Sequence, residues 1–343
     1  MNERRSVSIA GGGLAGLSLG LALARSGVPV SVHEAASYPR HKVCGEFITG
    51  LEERTIGRLG MEGIFAGARR LSHVTWFRKG KELRSFQLPR PAIGLSRFTL
   101  DARLAEAFRE AGGSLIAGER MSGTALEPAE GRVLAVGRTR SASGWLGLKM
   151  HVCSLELASD LEFHLGADAY VGLSAVEGGR VNVCGLFKVR ADINAPRDAI
   201  LGAYLRKARL EGLADRIARA SPFPESCSAV AGLGYGGWRS GGRGLAIGDA
   251  AAMIPPYTGN GMAMAFQAAE IAMGPLAAWS RREMAWEPLV EQVRELERRL
   301  FLRRVATATA IHPLLYSSFG QRSLAAASQS HLLPLGPIYR LLH

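Results

Sequence analysis

Cysteine is scarce in this chain. Its four cysteines, Cys44, Cys153, Cys184 and Cys227, form no C-x-x-C pair and no Cys/His cluster. That spacing argues against a zinc site or a disulfide framework, so no metal is expected and the compartment reads as the reducing cytosol. Long apolar runs are missing too. Apart from one glycine-interrupted stretch, no charge-free segment nears the roughly 20 residues that a bilayer span requires. Acidic residues are in short supply: 30 of them against 42 lysines and arginines leave a net charge of +12. Such a surface attracts nucleic acid, anionic lipid or an acidic carrier protein. Aromatics make up 7% of the chain and nowhere interleave with basic residues as a single-strand groove requires, so nucleic acid is not an expected partner.

Glycine, by contrast, is plentiful, and at the front of the chain it is ordered. Val7 to Ala10 read as a short strand, and Gly11, Gly13 and Gly16 follow at the spacing G-x-G-x-x-G, with Ala15 inside the turn. Leu17 to Arg25 read as a helix, Val28 to Val32 as a second strand, and Glu34 sits where that strand runs out. Gly11 permits the tight turn, Gly13 lets main chain approach a pyrophosphate, and Gly16 lets helix and strand pack closely. The helix N-terminus favours the phosphates, and Glu34 is placed to accept from a ribose. A secretory signal would also begin with a basic stretch and an apolar run, as MNERR and Ser6 to Ala24 do. Three glycines and a following strand break that pattern.

After Glu34 comes the loop PRHKVCGEF, residues 39 to 47. It resembles the P-R-x-K-x-C-G-G segment of the geranylgeranyl reductase branch of FAD-dependent oxidoreductases, relatives of the aromatic hydroxylases. The resemblance implies that Cys44 and Gly45 lie along the flavin, with Cys44 facing the substrate as a candidate catalytic residue. A buried structural thiol is the alternative. RFTLDARLAEAFREAGG, from Arg97, is similar to the segment whose arginine reaches the cofactor; on residues alone, Arg97 could equally pair with Asp101 four positions on. By position in the same family, Met121 offers main-chain contacts to the adenine side.

The second strong signal is GRGLAIGDAAAMIPPYTGNGMAMAFQAAEIA, residues 242 to 272. It resembles the G-D-A-A-x-x-x-x-P-x-x-G-x-G motif of FAD enzymes. Carried over, Asp249 binds the ribityl chain, while Gly259, Gly261 and Met262 open a helix aimed at the flavin pyrimidine. There, free N–H groups would stabilise negative charge on the reduced ring.

Between these signals the chain reads as β structure. Residues 71 to 77 and 83 to 87 suggest a hairpin, and Trp145 to Leu157 alternates with period two, predicting one buried face bearing Leu146, Leu148, Met150 and Val152. Gly147, Lys149, His151 and Cys153 take the other face. His151 is either an acid or base near the flavin or simply a polar strand residue. Residues 197 to 220 suggest two helices. From Arg281 the tail reads as an amphipathic helix with Trp286, Leu289, Val293, Leu296 and Leu300 inward and Arg298, Arg299, Arg303 and Arg304 clustered. The closing HLLPLGPIYRLLH is apolar enough to cover a substrate cavity or touch a membrane.

Two departures from the family limit what transfers. Residues 136 to 145, VGRTRSASGW, lack the G-A-D-G of flavin hydroxylases, which counts against reduction by a bound nicotinamide and implies a separate electron donor. Residues 170 to 174, YVGLS, lack the tryptophan and proline of the prenyl reductases' Y-x-W-x-F-P. The resemblance as a whole implies an α/β fold: a three-layer Rossmann-like FAD-binding domain (1–70, 92–140, 235–280), an inserted antiparallel β-sheet substrate domain (71–91, 141–234) and a C-terminal helical segment (281–343). It implies a cytoplasmic flavoprotein oxidoreductase, with peripheral contact to a membrane or acidic carrier protein expected from the basic tail. Its reaction would reduce or dehydrogenate a carbon–carbon bond in an apolar, lipid- or polyketide-like substrate, free or carrier-bound. The alternatives are a monooxygenase working through a C4a-hydroperoxide and a flavin-binding partner without turnover.

Overall fold

The β-branched segments at the front of the chain pair as a parallel sheet, and the alternating segments form a second sheet packed on its loops. A computed structural model describes residues 4–138, 143–235, 244–330 and 335–342. In chain order the elements are β1 (Val7–Ala10), α1 (Leu14–Arg25), β2 (Val30–Glu34), β3 (Phe47–Ile48), α2 (Glu53–Leu59), β4 (Arg69–Arg78), β5 (Lys81–Gly94), α3 (Arg97–Glu110), β6 (Ser114–Ala117) and β7 (Arg132–Leu134). Then follow β8 (Trp145–Cys153), β9 (Leu161–Gly166), β10 (Ala169–Ala175), β11 (Arg180–Lys188), α4 (Ile200–Lys207), α5 (Glu211–Arg219), β12 (Ser221–Ala231), β13 (Leu245–Ala246), α6 (Gly261–Ser280), α7 (Trp286–Tyr316), α8 (Ser318–Gln329) and α9 (Leu335–Leu342).

The first sheet has the order β13-β7-β1-β2-β6, and every pair in it is parallel. Its strands therefore all end at one edge, where Gly11, Glu34, Ala135 and Gly248 follow them; such an edge is where open α/β sheets place ligands. Helix α1 is apolar all round, and Leu14 to Leu23 are all buried, because it packs against the sheet, α3 and α6.

The second sheet has the order β12-β8-β11-β10-β9-β4-β5-β3. It is antiparallel as expected except between β4 and β9, which run parallel. Strand β5 extends well past the predicted hairpin, since its far end pairs with β3 just after the Cys44 loop. Pro89 and Pro91 fall where the β4–β5 register shifts, the place a sheet tolerates residues without a donor.

Strand β8 corrects one expectation. Leu148, Met150 and Val152 pack on α4 and α5 as the alternation predicts, but Gly147, Lys149 and His151 are buried as well. That second face carries charge and is nevertheless covered, because a carboxylate from the Cys44 loop meets it. The tail corrects another. The buried stripe of α7 runs through Leu289, Val293, Glu297, Phe301, Arg304 and Ala308, leaving Leu300 exposed and Arg304 inside, where it donates to Gln267 Oε1 at 2.7 Å. Polar residues on the inner stripe hide it from a hydrophobic pattern. Residues 139–142, 236–243 and 331–334 lie outside the described residues, and with them part of the VGRTRSASGW stretch, the front of the second glycine motif and part of the apolar closing stretch.

Glu297 is 2% exposed, and its Oε1 has no hydrogen-bond partner among the described residues. Burial pushes its carboxyl up to about 8, with Arg294 opposing. The folded state therefore holds this proton more tightly than the unfolded chain, and stability falls as pH rises from the ordinary carboxylate range through about 8. Glu297→Gln should leave stability unchanged at pH 4 and raise it at pH 9 by a few kcal/mol, at about 1.4 kcal/mol per unit of pKa separation. Urea unfolding of both proteins at the two pH values measures the difference.

Candidate functional site

Gly11 takes φ +108° in the turn after β1, and a Cβ on Gly16 would stand 1.9 Å from the Gly11 carbonyl oxygen. Neither position admits a side chain, so the turn is closed tightly. A Cβ on Gly13, by contrast, would meet no atom within 4 Å: this glycine faces open space at the start of α1. The first N–H bonded inside the helix is that of Leu17, to Gly13 O, so those of Leu14, Ala15 and Gly16 are the free donors of the helix end. Glu34, 7% exposed, accepts from the Gly12 N–H at 2.9 Å on one oxygen and from Ala36 N and Arg40 Nη2 on the other. A carboxylate has about four lone-pair sites, so capacity for a hydroxyl donor is left. Gly118 and Glu119 donate to the Glu34 carbonyl, which ties the end of β6 beside it. Met121 lies farther along this segment and makes no hydrogen bond among the described residues.

The second glycine motif closes on the first. A Cβ on Gly248 would lie 3.0 Å from that of Ala15, so the loop after β13 abuts the N-terminal turn. Asp249 follows, partly buried, with no hydrogen-bond partner among the described residues. Burial pushes its carboxyl up to about 6 against the opposing pull of Arg97 and Arg138. Gly259 at φ +69° turns the chain into α6, whose first N–H groups also lack helical acceptors. Cys44 Sγ lies 3.7 Å from Met262 Sδ, and Thr49 bonds the carbonyls of Thr258 and Gly259. The loop of the first resemblance thus sits against the glycine turn of the second.

Arg97 pairs with Asp101 through two bonds of 2.7 and 2.9 Å, as the i,i+4 spacing allows, but the pair is buried rather than on the surface. Lys42 completes a triad at 2.6 Å from Asp101. Burial alone would raise the Asp101 carboxyl, but Arg97 and Lys42 outweigh it and hold it low. Burial also pushes the Cys44 thiol up, with Arg97 opposing, which favours the neutral thiol over a reactive thiolate.

The residues that sequence reasoning missed grip this loop from the second sheet. Ser174 donates to Gly45 O at 2.7 Å, and Asn182 Nδ2 donates to the carbonyls of Cys44 and Gly45 at 3.0 and 2.9 Å. Asn182 is the register partner of both Ser174 and His151. Glu46, fully buried, accepts from Arg97 N at 3.0 Å and Lys149 Nζ at 3.1 Å on one oxygen, and its other oxygen lies 2.5 Å from His151 Nε2. It stands where the C-G-G pattern has its second glycine and keeps a glycine-like φ of +56°, at a cost of about 1–2 kcal/mol for an L-residue. The signal for it was that departure from the pattern. At the other end of the same sheet face, Trp145, Tyr170, Tyr235, Tyr257 and Tyr316 surround His312, with Tyr170 OH 3.2 Å from its Nε2. Burial lowers His312 to about 4. This cluster draws on β8, β10 and α7, so no short motif contains it.

No protein-family model and no curated protein matches the chain. Solved structures do. PqsL of Pseudomonas aeruginosa, in complex with 2-aminobenzoylacetate, superposes with a TM-score of 0.72 at 18% identity over 94% of this chain and 98% of its own. Klebsiella pneumoniae HpxO, complexed with FAD and uric acid, gives 0.69 at 20% over 95% and 93%. A geranylgeranyl bacteriochlorophyll reductase-like protein of Thermoplasma acidophilum gives 0.76 at 16% over 99% and 96%. The chain has the fold of these proteins. The three-layer α/β architecture with an inserted sheet is thereby the fold that the sequence resemblance implied.

The open environment of Gly13 and the closed one of Gly16 separate stability from binding. Gly16→Ala should destabilise by about 1–3 kcal/mol or more through overpacking against backbone. Gly13→Ala should change stability by no more than about 0.5 kcal/mol. Thermal unfolding of the two variants decides.

Proposed function

We propose that the chain is an FAD-dependent oxidoreductase. The observation that carries this reading is the convergence, on one sheet edge, of the Gly11–Gly16 turn, the Gly248–Asp249 loop and the Cys44–Gly45 segment. The residues fit the cofactor: free N–H donors and open space at Gly13 suit a pyrophosphate, and two partly buried carboxylates with spare acceptor capacity suit hydroxyl-bearing sugar chains. Gly11, Gly13, Ala15 and Gly16 would hold the phosphates, Glu34 the ribose and Met121 the adenine side. Asp249 would take the ribityl chain, while Cys44, Gly45, Gly259, Gly261 and Met262 would bound the ring, with Arg97 as a positioning residue. The parallel sheet and its helices would form the FAD domain, and the second sheet the substrate domain. FAD, when bound, supplies two-electron transfer; the protein positions both reactants and keeps water out.

For the reaction we favour reduction or dehydrogenation of a carbon–carbon bond in an apolar substrate, served by a separate electron donor. The neutral Cys44 and the loss of G-A-D-G support it. One observation favours a monooxygenase instead: the cluster of Trp145, Tyr170, Tyr235, Tyr257 and Tyr316 suits a planar ring, and PqsL and HpxO are solved with ring-bearing small molecules. The purified protein should be yellow, bleach with dithionite and resist NADH and NADPH; Gly13→Ala should be folded and colourless. A transient seen only when reduced protein meets oxygen and an aromatic candidate would overturn the reductase reading in favour of hydroxylation.

The basic tail supports peripheral contact with an anionic lipid surface. Leu302, Leu314 and Phe319 are exposed at 48, 37 and 71% on α7 and α8, and Arg298, Arg299, Arg303 and Arg322 beside them have no ion-pair partner among the described residues. No described helix is long and apolar enough to cross a membrane. Each arginine near an anionic surface contributes about 1 kcal/mol. The protein should co-sediment with phosphatidylglycerol vesicles and not with phosphatidylcholine, and Phe319→Ser should weaken the binding; equal behaviour on both vesicles would overturn it.

A further inference from the structure

The charged cluster beneath the Cys44–Gly45 loop is more elaborate than clamping requires. Ser174 and Asn182 already hold both carbonyls of that loop. Beside them, Glu46, Lys149 and His151 are all withdrawn from solvent, with side-chain exposures of 0% in each ion pair. A glycine at position 46 would take the observed φ without strain and would need no cationic partners. The carboxylate is held there against that preference.

The contacts form a chain. His41, half-buried between Phe98 and Phe223, lies with Nδ1 3.2 Å from Lys149 Nζ. Lys149 Nζ is 3.1 Å from Glu46 Oε1, and Glu46 Oε2 is 2.5 Å from His151 Nε2. The chain ends at His151 Nδ1, which is buried and without a hydrogen-bond partner among the described residues, as is Oδ1 of its register partner Asn182. Burial and the neighbouring Lys149 lower His41 to about 4, so near neutrality it is an uncharged imidazole. The other titratable or charged groups around Glu46 are Lys42 and Cys44 on its own loop, Arg97 and Asp101 on α3, and Arg180 and Cys184 on β11.

We propose that His41, Lys149, Glu46 and His151 form a proton route from solvent to the Cys44–Gly45 side of the site, with Glu46 as the positioning residue that aligns it. The inference rests on the FAD reading above. Two-electron transfer to or from carbon, or to oxygen, moves a hydride equivalent and leaves one proton to be supplied or removed. In the supplying direction both histidines start as the Nδ1–H tautomer, and His151 gives up the proton on Nδ1 and takes on Nε2 one that Lys149 hands on through Glu46. Lys149 regains its proton from Nδ1–H of His41, and His41 takes one on Nε2 from water, so Glu46 and Lys149 end as they began, both histidines end as the Nε2–H tautomer, and the removing direction restores them.

The test needs no knowledge of the substrate. FAD-loaded protein reduced with dithionite is mixed with oxygenated buffer, and return of the yellow colour is followed across pH in H2O and D2O. The net reaction consumes reduced flavin, O2 and one proton and yields FAD and hydrogen peroxide. Wild type should reoxidise more slowly in D2O and with a pH-dependent rate. Glu46→Gln and His151→Asn should be slower by about tenfold or more, the lower range for a lost proton-transfer group, and should lose the isotope sensitivity. The double variant Glu46→Gly/Lys149→Leu, which suits the backbone and removes both buried charges together, should fold as wild type does and show the same loss. The apo protein should also show a strongly deshielded exchangeable proton by NMR that disappears in Glu46→Gln. Yellow variants with wild-type pH and isotope profiles would overturn the route alone. A protein that retains no FAD would overturn it together with the reading it rests on.

Discussion

Two sheets that share no strand are joined by one row of side chains, Ser174, Asn182 and His151, gripping the peptide groups from Cys44 to Glu46. The dependence runs in both directions. The loop carries no regular structure of its own until Phe47, so its carbonyls need donors from elsewhere, and the sheet supplies them at successive register positions. The same loop then touches Met262 and the Thr258–Gly259 turn, so fixing it also fixes the mouth of α6. If that row were apolar, the carbonyls of Cys44 and Gly45 would lose buried partners, and each orphaned group would cost about 1–3 kcal/mol.

The charges in this interface are poorly explained by stability. Transferring an ion pair from water to a protein interior costs several kcal/mol per ion, and its mutual attraction seldom returns more. Glu46 adds backbone strain to that cost, and His151 Nδ1 adds an unmet hydrogen bond. A sequence under selection for folding alone has easier solutions here, beginning with glycine at 46 and leucine at 149. Departures of this kind cluster where function requires them.

How far the sequence discloses this arrangement depends on the range of the contacts. The turn from Gly11 to Gly16, the acid at Glu34 and the strand–glycine–helix order around Asp249 are local, and each is set by backbone requirements that few residues meet. Strand β2 is shifted by two residues from the span read in the sequence, which the pairing settles rather than the pattern. In the sequence His151 is open between an acid or base and an ordinary polar strand residue, because its partner Glu46 lies 105 positions away. Glu297 and Arg304 hid on the inner stripe of α7 for a similar reason: a hydrophobic pattern has no sign for a buried charge whose partners lie on another element. Arg97 makes the Asp101 pair that its spacing allows, but the pair holds the guanidinium beside Cys44 rather than out in solvent.

The inner face of the second sheet is polar at one end and aromatic at the other, and this gradient bears on what the site can accept. Successive cross-strand rows read Ser174–Asn182–His151, then Gly172–Cys184–Lys149, then Tyr170–Leu186–Gly147. The first row is spent on the loop and the last leads into the ring of tyrosines around His312. Between them Gly172 leaves room, since a Cβ there would meet nothing closer than 3.9 Å. A substrate lying between the proposed flavin edge and this face would have its apolar or ring-bearing part among the tyrosines and its reacting atoms nearer Cys44. Orientation would then follow from the sheet itself, through the alternation that puts every second residue on one face. The Tyr235 hydroxyl at the aromatic end is buried without a hydrogen-bond partner among the described residues. The proposed proton route at one end and the aromatic cluster at the other thus fall on a single pleated surface.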